Sequence, residues 1–167
     1  MNLTDIPARY YFDTSIFGGY FDVEFSNETR ILFNYVTEGK IICLVSDLIA
    51  KELISAPSRV SALFNNLPGQ FKESLLVTQE ITILAEEYIN QKVVGKTNRD
   101  DCIHIATATI YHANALVSWN FKHIVNSNRI QGYNHVNSLH GLPEISIKSP
   151  REIIWKHPRV LSKAITA

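Results

Sequence analysis

Apolar and polar positions alternate in blocks along the chain. Residues 8–13 (ARYYFD) form an aromatic-rich run that ends at an Asp, the pattern of a short buried strand. Residues 27–38 (NETRILFNYVTE) switch to helical spacing, with Asn27 as a cap and Gly39 as a stop. The run 41–45 (IICLV) is continuously apolar and rich in β-branched residues, as a strand covered on both faces requires. Ser46 then opens a helix to about Ala56, before Pro57, and a shorter helix spans 58–66. Ile81, Leu84, Ala85, Tyr88 and Ile89 mark one stripe of a longer helix over 79–93. Residues 95–99 are a polar loop, after which a helix starting at Asp100 or Asp101 ends near His112. Residues 115–118 (ALVS) predict a third strand and 145–147 a fourth. Strands alternating with helices imply an α/β fold in three layers, with a mostly parallel sheet of four to five strands between helices. Ligands of such sheets bind beyond the carboxyl ends of the strands, where Asp13 and Ser118-Trp119-Asn120 fall.

Composition narrows the class. The chain has 167 residues, 46% hydrophobic and 19% charged, enough to bury one core. Sixteen basic residues balance sixteen acidic ones, but unevenly. Residues 1–91 carry six basic side chains against twelve acidic, a balance of −6; residues 92–167 carry ten against four, a balance of +6. Such asymmetry is a mark of an anionic partner. Cys43 and Cys102 lie apart in apolar surroundings and without zinc spacing, and read as buried thiols. The first residues lack the basic and apolar regions of a secretion signal, and the apolar runs are too short to span a bilayer. A cytoplasmic protein without membrane association is expected.

Three carboxylates stand where the pattern does not want them. Asp13 ends a buried strand and is followed by Thr14 and Ser15; an Asx-turn or a helix cap is the alternative reading. Glu52 projects from the apolar stripe of Leu48, Ile49 and Leu53, unless it stays solvated at the edge or pairs with Arg9. Asp101 shares a helix face with His104, Ile105 and Ala108, which leaves Asp100 as the cap; both as ordinary capping residues is the alternative. One hypothesis covers all three: they converge to hold a hard divalent cation, Mg²⁺ or Mn²⁺. His104 and His112 have no His or Cys at ligand spacing and are assigned to packing or helix surface.

The order YYFDTSIFGGYFD, SDLIAKEL, DDCIHIATA, ALVSWNFKHI resembles the PIN domains, and among them the VapC-like toxins, over about residues 8–125. The resemblance implies a PIN-like domain over 1–148, with 149–167 as a basic C-terminal segment that is a docked extension, an RNA-contacting arm or a solvated tail. It implies a metal-dependent ribonuclease hydrolysing RNA phosphodiester bonds, the toxin of a type II toxin–antitoxin system. Asp13, Asp101 and Glu52 match the family's acidic cluster, and the small hydroxyl after the first acid matches Thr14 or Ser15. Many PIN domains carry a fourth acid in a Thr-x-Asp pattern; here the stretch is Ser118-Trp119-Asn120, so the neutral Asn120 stands there and a second metal should bind more weakly. Lys122 and His123, with Thr14, Ser15 and Ser118, are the candidate substrate contacts. A homodimer and an antitoxin protein are the implied partners. Two rivals are kept: an aspartyl-phosphate phosphohydrolase, which wants Asp-x-Asp where this chain has Asp13-Thr14-Ser15, and a PIN-fold module that binds RNA or protein without cutting.

Overall fold

The computed structural model describes residues 6–155. Five parallel strands make one sheet: β1 (Ala8–Phe12), β2 (Ile41–Ser46), β3 (Lys72–Leu75), β4 (Ala115–Val117) and β5 (Ile147–Lys148), in the order β3-β2-β1-β4-β5. The chain leaves β1 toward β2 and β3, then crosses back to lay β4 on the other side of β1. The order therefore reverses between β1 and β4, and their carboxyl ends flank a crevice.

Helices cover both faces. Helices α1 (Thr14–Gly19), α2 (Ser26–Thr37), α4 (Ser58–Asn65) and α8 (Pro150–Trp155) contact one another, with α2 also on β2. Helices α5 (Gln79–Asn90), α6 (Arg99–Ile110) and α7 (Ser127–Leu139) form a second group, with α6 against β4. A short helix α3 (Asp47–Glu52) follows β2 directly and tightens into a 3-10 turn at Leu53–Ser55. The stripe read over 79–93 is buried as expected in Ile81, Leu84, Ala85, Tyr88 and Ile89. The period of two on β1 sends Phe12 onto Phe33 and Phe17, and Tyr11 to His104 on α6. Each fully buried aromatic or large aliphatic side chain contributes about 1.5–3 kcal/mol by leaving water.

The structure differs from the sequence pattern at several elements: helices α1 and α7 have no counterpart in it, and α2 starts at Ser26 without a cap from Asn27. Strand β3 (KESL) has no apolar alternation; it forms because the edge of β2 offers a ladder to Lys72–Leu75. The helix opened by Ser46 is shorter than read, and Ser46 does not cap it: its hydroxyl bonds the Tyr11 hydroxyl. Within the C-terminal segment, α8 packs on α2, and Arg151 pairs with Glu28 and sits over the Trp119 ring. Lys156, Arg159 and Lys163, in the part proposed as a tail, lie outside the described residues.

Candidate active site

Asp13 is the last residue before α1, with extended backbone, and its side chain makes no capping bond. It is buried, and its two oxygens accept from Ser15 Oγ (2.6 Å) and Ser118 Oγ (2.7 Å). The capping alternative therefore fails. The hydroxyls that follow the first acid exist to hold carboxylates: Thr14 Oγ1 donates to Glu52 as Ser15 does to Asp13.

Glu52 ends α3 and is half-buried; besides Thr14 it takes His104 Nε2 at 3.1 Å. Arg9 is not its partner: the guanidinium forks onto Glu73 of β3 (2.9 and 2.6 Å). Asp101, in the first turn of α6, is half-buried and accepts from Asn120 Nδ2 at 3.2 Å. The reading that turns Asp101 inward agrees with this. Its companion does not cap: the helix is entered through Asn98, without a side-chain cap bond, and Asp100 is exposed.

Asn120 links the ends of β4 and α6. Its amide nitrogen holds Asp101, its Oδ1 accepts from His123 N (3.0 Å), and its own backbone N–H donates to Ser118 Oγ (2.9 Å). Trp119 anchors this stretch: it stacks on Phe25 at 4.3 Å, and its Nε1 donates to Thr29 (2.9 Å). Lys122 is exposed, and His123 is half-buried with a buried Nδ1 that has no hydrogen-bond partner.

His104 is the residue that spacing alone missed. It is 3% exposed and bonds Glu52 through Nε2 and the Tyr11 hydroxyl through Nδ1 (2.8 Å), so it is a member of the acidic site and not a packing residue. The signal was present: His104 is three residues beyond Asp101 on the same face, and a buried Tyr in a strand needs a polar partner.

The electrostatics follow. Burial raises the Asp13 carboxyl, an effect that His104, Ser15 and Ser118 oppose and that Asp101 reinforces. Burial likewise raises Asp101, with His104 and His123 opposing and Glu52 adding to the rise. Burial also pushes Glu52 upward, but its bonds to His104 and Thr14 win and hold it below the usual range. Burial lowers His104, but the Glu52 bond and the charges of Asp13, Glu52 and Asp101 raise it overall. No Lys or Arg of the described residues pairs with any of the three acids.

The donor set of carboxylate and hydroxyl oxygens fits a hard cation and lacks the thiolates a soft one prefers. As they stand, the carboxylates are turned onto their hydroxyl and imidazole partners. Among the described residues no three His, Cys, Asp or Glu side chains are grouped tightly enough to share one ion. None of the described helices is long and apolar enough to cross a membrane.

No protein-family model matches the sequence, and no curated protein matches it. Solved structures do. One is a chain of the crystal structure of VapBC2 from Rickettsia felis bound to a DNA fragment from their promoter. It has a TM-score of 0.53 at 13% identity and covers 84% of this chain and 98% of its own. Another belongs to the DNA-bound VapBC of Salmonella typhimurium, with a TM-score of 0.52, 18% identity and coverage of 86% and 98%. At this identity the likeness carries the fold alone, a PIN-like α/β fold with one parallel sheet between helices.

Proposed function

We propose that this chain is a PIN-type endoribonuclease dependent on Mg²⁺ or Mn²⁺, the toxin of a type II toxin–antitoxin pair, acting in the cytoplasm as a homodimer. The observation that carries the reading is the electrostatic coupling of Asp13, Asp101 and Glu52 around His104, with no Lys or Arg of the described residues paired to any of them. A cluster so placed is costly without a cation and common where phosphoryl chemistry is done. The VapBC complexes that share the fold support the antitoxin partner.

Asp13 and Asp101 would hold the cation, with Glu52 as a third ligand or as the base for the attacking water. When bound, such an ion lowers the pKa of its water and neutralises charge on the departing oxygen. The remaining groups position these three. Ser15 and Ser118 fix the Asp13 carboxylate from both sides; Asn120 turns Asp101 toward the crevice; Thr14 and His104 hold Glu52 until it takes up its role. Lys122 and His123, just past Asn120, would meet the phosphate of an RNA strand; the exposure of Lys122 supports this.

The test uses structured and single-stranded RNA in Mn²⁺. The protein should cleave, and Asp13→Asn and Asp101→Asn should each fall by at least about a hundredfold. Equal cleavage by all three would assign the activity to a contaminating nuclease. A second reading, a PIN-fold module that binds RNA or a protein partner without cutting, is favoured by the imidazole already held against Glu52. It requires RNA binding with neither cleavage nor a thermal shift on adding Mn²⁺.

A further inference from the structure

The basic excess of the second half divides by location. Of the described cations after residue 91, Arg99 pairs with Glu86, Lys148 with Glu152 and Arg151 with Glu28. Arg99 is thus held against α5. Lys92, Lys96, Lys122 and Arg129 have no carboxylate partner among the described residues. Three of these four line two adjoining clefts of about 560 and 490 Å³ between the α5–α6 loop and the start of α7, and both clefts share Lys92 and Arg129.

The remaining walls are mainly polar in the larger cleft and mainly apolar in the smaller, at Ile89 and Val94. Asn126, Asn128 and His135 line the larger cleft, Lys96 the smaller, and neither has an acidic side chain. The cleft beside Arg99 has the opposite character, with Asp47 and Asp100 facing Lys51 and Arg99. The basic pair is held in place. Arg129 NH1 donates to the Val93 carbonyl and so fixes one edge of the guanidinium, leaving its other donors to the cleft. Gly132 lets α7 close on Val93, since a Cβ there would lie 2.7 Å from Val93 Cγ1. Lys92 has φ of 59°, the left-handed region, at the turn that ends α5.

Both walls connect along the chain to residues of the acidic crevice. Lys96 is five residues before Asp101, in the turn that leads into α6. Asn126 follows the segment whose Ile124 and Val125 N–H groups both donate to the Asn120 carbonyl.

We propose that the Lys92–Lys96–Arg129 cleft binds the phosphodiester backbone of single-stranded RNA and guides the strand into the crevice at Asp101. The inference rests on the ribonuclease reading and adds where the substrate lies outside the reacting centre. A flexible polyanion suits the place: unpaired cations spread over adjoining clefts contact successive phosphates without reading bases.

The test is fluorescence anisotropy of a labelled oligo-U of about 20 nucleotides in EDTA, titrated over a series of KCl concentrations. Each phosphate contact contributes about 0.7 to the slope of log affinity against log salt. The Lys92→Gln/Lys96→Gln double variant should bind more weakly, with a slope shallower by about 1.4. Lys51→Gln, which removes an unpaired lysine from the cleft beside Arg99, should bind as the unaltered protein does. Three results overturn the cleft: an unchanged slope in the double variant, an equal loss in Lys51→Gln, or competition by duplex DNA as effective as by RNA. Failure of the function reads out separately. A protein that binds oligo-U with the expected slope but does not cut it in Mn²⁺ keeps the cleft and loses the nuclease.

Discussion

A buried carboxyl that titrates high costs the native state whenever it is charged, and a buried imidazole that titrates high repays part of that cost. Asp13 and Asp101 are raised from 3.8, so their ionisation penalises the fold increasingly as pH climbs through their native values. Glu52 is lowered from 4.5; its contribution is present above 4.5 and is lost as pH falls through the native value. His104 is raised from 6.5; its contribution is fully present below 6.5 and is lost as pH rises through the native value. The cation-free protein should therefore lose thermal stability on the alkaline side of 6.5, and His104→Asn should flatten that decline. Melting curves in EDTA across about pH 6 to 9 measure it; parallel declines in the two proteins would assign the slope to other groups. This part of the site was only half legible beforehand. The three acids stood out as carboxylates on apolar faces, whereas His104 on the same helix looked like core, because its two partners lie 52 and 93 residues away.

At the scale of elements, one close approach governs the stretch that carries Ser118 and Asn120. Gly19 ends α1 beneath the Trp119 ring; a Cβ there would lie 2.7 Å from Trp119 Cδ1, 2.8 Å from Nε1 and 3.2 Å from Thr29 Oγ1. Gly19→Ala must push the indole off Thr29 and Phe25, at a cost of about 1–3 kcal/mol. The expected drop in melting temperature is about 2–4 °C for each kcal/mol, with lower RNA cleavage because Asn120 moves with Trp119. Gly18→Ala is the matched comparison: its Cβ would meet nothing within 4 Å, and replacing a helical glycine should be neutral or stabilising. If Gly19→Ala melts with Gly18→Ala, Trp119 is not the anchor described. The motif SWNFKHI marked this loop as important from its polar residues. It could not reveal that the apolar Trp119, locked by a glycine a hundred positions earlier, sets where those polar residues stand.

For the molecule as a whole, a formal net charge of zero conceals a separation with direction. Among the described residues, three acids lack a Lys or Arg partner at the crevice, and cations without a carboxylate partner line the clefts between the α5–α6 loop and α7. Binding of a divalent ion to the native state alone should stabilise it in proportion to RT ln(1 + [ion]/Kd). Mn²⁺ should therefore raise the melting temperature. Asn120→Asp should melt lower in EDTA, because a fourth carboxylate then faces Asp101, yet gain more on adding Mn²⁺. An equal gain in both proteins would remove Asn120 from the cation's surroundings.

What the sequence by itself determined is whatever can be stated within a dozen residues: the alternation of strands and helices, the stripe of α5, the apolar run of β2, and Asp13 and Asp101 as acids at odds with the apolar pattern around them. Each rests on local periodicity or a local polar mismatch. Only the tertiary structure decided the rest. It made a strand of KESL by offering it the edge of β2, gave Arg9 to Glu73 and not Glu52, and joined Asp13 to Ser118 across 105 positions. It also parted the cations of the second half into paired and unpaired sets. The physical reason is the same throughout: a hydrogen bond or ion pair is set by what packing brings within about 3 Å, and chain separation carries no information about that.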